Sequence, residues 1–138
     1  MVIARAPSGC PVDGAVRWLS PQKALIQLSW RYLRGDTFWF SFFHECGHIA
    51  LHGKKILFLE EKGMTGAEED EANRFASERL IPLGTWQAFQ PAVITDQSIQ
   101  EFAQLVGVHP GIVLGRLQKE GRVAWNRGSH LKARYRWK

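Results

Sequence analysis

Cysteine is nearly missing from this sequence: Cys10 and Cys46 are the only two. Two thiols make no disulfide framework, so the chain is not read as a cross-linked secreted scaffold. Long apolar runs are missing as well. The most apolar stretch, Phe38 to Leu51, is broken by His44, Glu45 and His48, which leaves it too short and too charged to span a bilayer. The opening residues put Pro7 and Gly9 where a signal peptide needs an apolar block. No repeat and no low-complexity tract is visible. Acids stop at Glu120; beyond it come Arg122, Arg127, Lys132, Arg134, Arg136 and Lys138. The residues before this tail hold 12 bases against 13 acids, so the net charge of +5 belongs to the tail. Trp125, Tyr135 and Trp137 are interleaved with those bases. Such a tail can be a nucleic-acid patch, or it can pack its aromatics on the domain and leave its charges in water. The second is favoured, because basic surface alone says little about specific binding. What remains is a soluble protein, expected in the cytoplasm and without a membrane partner.

What is present is a core. The 138 residues are 45% hydrophobic and include six Trp and eight Phe, enough for one globular domain. The organisation expected is an extended arm over 1–13, a sheet and metal-site helices over 14–90, and a helical unit with the basic tail over 91–138. Ala15 to Leu19 and Ala24 to Trp30 read as antiparallel strands about the turn Ser20-Pro21-Gln22-Lys23. Asp36 is placed to cap a helix running from about Thr37 to His52, with Gly53 as its stop. Ile56 to Glu60 reads as a third strand. Ala67 to Leu80 reads as a second helix, stopped before Pro82, and Leu83 to Phe89 as a short one. Gln97 to Leu105 and Gly111 to Gln118 form a helix pair joined at Gly107. The fold class is α+β.

The chemistry sits in His44-Glu45-Cys46-Gly47-His48. On a helix, His44 and His48 lie one turn apart, about 6 Å along the axis, so both imidazoles can bind one zinc ion. Glu45, beside the first ligand, is placed to act as general base on a water at that ion. A third protein ligand is needed. His52 continues the i+4 series, but its Cα lies about 12 Å from that of His44; it reads as a supporting residue. In the second helix, Glu69 shares a face with the small residues Ala72 and Ala76. A carboxylate aimed at a packed interface is costly unless paired or metal-bound, so Glu69 is the expected third ligand, with Glu71 as runner-up. Asn73, one turn on, can steady a ligand from behind. Glu68, Asp70 and Glu71 otherwise suit an acidic first turn. Cys46 reads as a small buried apolar residue. Gly47 reads as letting the sheet approach the helix. Cys10 could reach an open metal position, though a loop role is favoured. Tyr32, His109 and His130 are conceivable oxyanion stabilisers.

Three stretches together resemble the ImmA/IrrE family of zinc metallopeptidases: Trp39 to His52, Glu69 to Ala76, and Leu80-Ile81-Pro82. The run Val108 to Leu117 is similar to the end of versions fused behind a repressor-type DNA-binding domain in toxin–antitoxin operons. The resemblance covers residues 14–138. It implies a zincin-like minimal fold with an edge strand beside the metal helix, ligands His44, His48 and Glu69, base Glu45, and cleavage of a repressor or regulator protein. Any DNA contact is expected through a repressor-type helix-turn-helix domain outside these residues or on a partner.

Two other features bear on function. Ile99 to Gln118 is itself similar to a helix-turn-helix, with Ala103, Gly107 and Val113 at its small, turn and core positions. Its second helix offers one strong donor, Arg116, which makes a poor reader of bases; a buttress for the peptidase is favoured. The strand Ala24 to Trp30 is expected to offer an edge to which substrate adds as an extended strand. The competing function is a non-catalytic regulatory or antitoxin module that binds a protein partner or DNA.

Overall fold

The computed structural model describes residues 1–5, 8–9, 12–53 and 66–136. The expected strand at Ile56 to Glu60, Cys10 and Trp137 lie outside the described residues. The chain begins with β1 (Val2–Ile3), β2 (Gly14–Ser20) and β3 (Lys23–Leu28). These form one sheet in the order β1-β3-β2. β2 and β3 are the expected antiparallel hairpin, running from Gly14 opposite Leu28 to Ser20 opposite Lys23.

Two expectations change here. The arm over 1–13 is not merely extended, because β1 pairs in parallel with β3, Val2 opposite Gln27. The sheet is therefore mixed rather than antiparallel. That pairing makes β3 the central strand of the described sheet and occupies its other edge at Gln27 and Leu28, the end nearest the metal helix's start. Among the described residues, no strand pairs with the outer side of β2. Ser29 N–H donates to Asp13 C=O at 2.9 Å, so by antiparallel alternation Ala15 and Arg17 face β3, and the backbone groups of Gly14, Val16 and Trp18 face away. β3 also stops two residues before Trp30. Trp30 and Leu33 have φ of 43° and 48°, which no strand tolerates.

Helix α1 spans Gly35–Gly47 and continues as a π-helical turn over His48–His52. The sequence reading was one regular helix to His52. The wider turn is marked by Gly53 N–H donating to His48 C=O, five residues back. Gly53, at φ 47°, ends it as expected. Asp36 does not cap α1: the residue at the cap is Arg34 and no side chain caps there. The Asp36 carboxylate instead pairs with Arg34 and, at 3.0 Å, with the buried ammonium of Lys132, since two cations outcompete backbone N–H groups. Burial pushes Asp36 upward, but the hydrogen bonds and charges of Arg34 and Lys132 outweigh it and hold its pKa below the ordinary value.

Helix α2 covers Gly66–Leu80 and packs on α1. Gly47 serves this contact: a Cβ there would lie 3.1 Å from Ala72 Cα and 3.2 Å from Phe75 Cβ. It is α2, not the sheet, that comes close to Gly47. After α3 (Leu83–Ala88) come α4 (Asp96–Val106) and α5 (Pro110–Lys119). Thr95 and Ser98 cap α4 reciprocally, and Gly107 ends it at φ 77°. The main core lies among these helices, with Ile81, Trp86, Phe102, Leu114 and Leu117 at its centre. Arg116 is turned inward. It donates to the carbonyls of Ile81 at 3.0 Å and Ser77 at 3.3 Å, and lies over the Trp86 ring. The strongest donor of α5 thus ties that helix to the end of α2.

The tail packs in part as expected, with two differences. The Tyr135 ring packs at a tilt against Trp30, with centroids 4.9 Å apart, and the Tyr135 backbone N–H donates to Leu33 C=O. Trp125 stays exposed. Lys132, read as a solvated charge, is buried between Asp36 and Gln118.

Candidate metal centre

His44 and His48 project from one side of α1 and its π turn, and Glu69 reaches them from the first turn of α2. His44 Nε2 lies 2.9 Å from His48 Nε2. Glu69 places one oxygen 3.2 Å from His44 Nε2 and the other 3.5 Å from His48 Nε2. Tetrahedral zinc with bonds of about 2.0–2.1 Å needs donor atoms roughly 3.4 Å apart. The donor triangle therefore fits a small divalent ion held by two imidazoles and a carboxylate. Glu71, the alternative third ligand, is directed elsewhere.

Each imidazole is oriented from behind. His44 Nδ1 is 3.0 Å from Asn73 Oδ1. An amide oxygen only accepts, so His44 carries its proton on Nδ1 and keeps the Nε2 lone pair for the ion. His48 Nδ1 is 3.1 Å from His52 Nδ1, and His52 Nε2 is 2.9 Å from Glu71 Oε2. Glu71 accepts, so His52 donates from Nε2 and accepts at Nδ1. His48 must then donate from Nδ1, which frees its Nε2. These tautomers follow from the partners' chemistry. The His52 ring lies beside that of His48, with centroids 5.3 Å apart. Burial, then the neighbouring His44 and His52, push His48 down to about 4; it is neutral, as a ligand must be.

Glu45 lines the same cavity, which measures about 460 Å³ and also exposes Asp13, Gly14, Val16, Ser41 and Asn73. Its carboxyl is buried, and burial first, then the charge of Glu69, pushes its pKa to about 7 in the metal-free chain. The residue that sequence reasoning missed is Gly14. A Cβ there would sit 2.6 Å from Glu45 Oε1 and 2.9 Å from its Cγ. The first residue of β2 is thus the wall against which the glutamate rests. A glycine opening a strand is its only local signal.

The remaining candidates lie elsewhere. Cys46 is half-buried, not buried, and its thiol is pushed up by burial and by Glu45. Tyr32 hydrogen-bonds to Arg31 outside the metal cavity. His109 caps α5 by accepting from Gly111 N–H, and His130 pairs with Asp96 at the surface. None of the three lines the cavity.

This arrangement of a His-Glu-x-x-His helix with a carboxylate from the next helix meets an independent sequence finding. The family model described as the IrrE N-terminal-like domain, a peptidase family, matches residues 12–118. The chain belongs to this IrrE N-terminal-like family. The matched span runs from the loop before Gly14 to Gln118 in α5, so it holds the sheet edge, both metal-site helices and the helix pair. A family defined as peptidases makes the metallopeptidase reading the coarse expectation for this site. No curated protein and no solved structure gave a significant match to the chain. No helix of the described residues is long and apolar enough to cross a membrane.

Proposed function

We propose that this chain is a zinc-dependent endopeptidase of zincin-like architecture in which His44, His48 and Glu69 hold the ion and Glu45 is the general base. The observation that carries the reading is the donor triangle of 2.9, 3.2 and 3.5 Å between these three side chains, with Glu45 in the same cavity. A zinc ion held there supplies an acidified water and polarises the scissile carbonyl.

The chain's own residues do the rest. Asn73 and the His52–Glu71 pair keep both imidazoles aimed. Glu45, fixed against Gly14, accepts the proton of the attacking water and passes it to the leaving amine. The outward groups of Gly14 and Val16 on β2 can hydrogen-bond an extended peptide, adding it as a strand beside α1. Edge addition suits a segment that is extended or locally unfolded. Together with the family resemblance, this supports a transcriptional repressor or antitoxin-type regulator in the cytoplasm as the substrate. Zinc, rather than another divalent ion, is favoured by the two-imidazole, one-carboxylate donor set.

Glu45→Gln tests the reading. It should lower hydrolysis of a random peptide library by about 10²–10⁴-fold while leaving metal content unchanged. Unaltered hydrolysis would remove Glu45 from the chemistry. A non-catalytic regulatory module would show no hydrolysis in the parent protein either, with partner binding unaffected by the substitution.

A further inference from the structure

A second cleft, of about 620 Å³, begins where the metal cavity ends. Asp13, Phe40 and Ser41 form walls of both, so one surface runs from the metal centre along the first half of α1 to α5. Its size is typical of sites that enclose a ligand. Apolar surface comes from Phe40, Leu80, Ile112 and the exposed indole of Trp125. Two of the three acids are matched by hydrogen-bonded cations, while Asp13 Oδ1, 3.8 Å from Arg31, has no hydrogen-bond partner among the described residues. Asp36 pairs with Arg34 and Lys132, and Glu120 with Arg116 and the Trp86 indole. Lys119, exposed at the rim, has no partner among the described residues. The cleft thus presents apolar walls and one unmatched positive charge.

Distance sets its relation to the chemistry. From His44 back to Thr37, α1 rises about 10 Å. An extended chain covers that in about three residues. We propose that this cleft seats a large apolar side chain of the peptide substrate, about three residues from the bond that is cut, with an acidic neighbour drawn to Lys119. The proposal rests on the peptidase reading and adds the substrate class that the site selects. Apolar burial supplies the affinity, and the charge at the rim supplies discrimination and encounter rate.

Two short fluorescent peptides test it, one carrying Phe-Asp at its centre and the other Ser-Lys. Anisotropy measures their binding to the Glu45→Gln protein in the presence of zinc, where neither is consumed. The Phe-Asp peptide should bind at least about 10-fold tighter. Ile112→Gln, which replaces an apolar wall of the cleft with a neutral polar group, should reduce that preference. Lys119→Glu alters only an exposed side chain, so the protein stays folded, and it should shift the preference toward the basic peptide. Equal binding of the two peptides, or a preference unchanged in both variants, overturns the proposal. Failure of the peptidase reading looks different: the preference and its response to the variants persist, which upholds a peptide-binding cleft, while the parent protein cleaves nothing in a random library.

Discussion

Gly14→Ala places one methyl group where Glu45 now rests. The added Cβ would lie 2.6 Å from Oε1, 2.9 Å from Cγ and 3.1 Å from Cδ, whereas ordinary contact begins at 3.4 Å. The carboxylate must retreat by about 0.8 Å at its oxygen, and Cγ and Cδ must move with it. The side chain can do this by a torsional change, so the fold survives. The backbone at Gly14 is ordinary strand, so the stability cost is that of overpacking one methyl group against a side chain that can move, about 1 kcal/mol. His44, His48 and Glu69 are not among the atoms that the new Cβ meets, so the ion should be held as before. Turnover should suffer, because a displacement approaching 1 Å at a reacting group costs about 10²-fold. Peptide-library hydrolysis, metal content and a thermal melt on the same preparation give the three readings. Full turnover in a folded, metal-loaded variant would refute the idea that β2 positions the base. Loss of metal would show that Gly14 supports the ligands instead.

Three further outcomes follow from the contacts. Glu71→Ala removes the acceptor that sets the tautomers of His52 and His48; zinc affinity should fall about 10–100-fold in a competition titration, with the fold unchanged. Lys132→Met leaves Asp36 with Arg34 as its remaining cation, and losing one hydrogen bond to a charged group costs about 1.5–3 kcal/mol, readable as a lower midpoint in urea. Acid should act on the same residue. Its folded pKa is lowered, so its contribution is complete above the unfolded value of 3.8 and is lost as the pH falls through the lower folded value. The parent should therefore lose stability in that range more steeply than Asp36→Asn does.

The parts of the site that could be read in advance are those set by local helical geometry. His44 and His48 meet because four residues make about one turn. Glu69 reaches them because it shares a face with Ala72 and Ala76, which are fully buried against α1. Asn73 follows one turn later. What could not be read depends on contacts distant in sequence. Gly14 meets Glu45 across 31 positions, and nothing in either neighbourhood announces it. Asp36 looked like a cap because its true partner, Lys132, lies in a tail whose charge pattern suggested solvent. β3 looked like an edge because Val2 and Ile3 are too short a run to read as a strand. The π turn was hidden because a five-residue hydrogen bond has no distinct sequence pattern; only the Gly53 stop was visible.

The most direct measurement is the metal content of protein purified without added zinc, followed by zinc titration of the parent and of His48→Ala and Glu69→Ala. One divalent ion per chain is expected in the parent, with zinc affinity reduced by orders of magnitude in both variants while each remains folded. A parent that takes up no zinc, or variants that hold it as tightly as the parent does, would contradict the account.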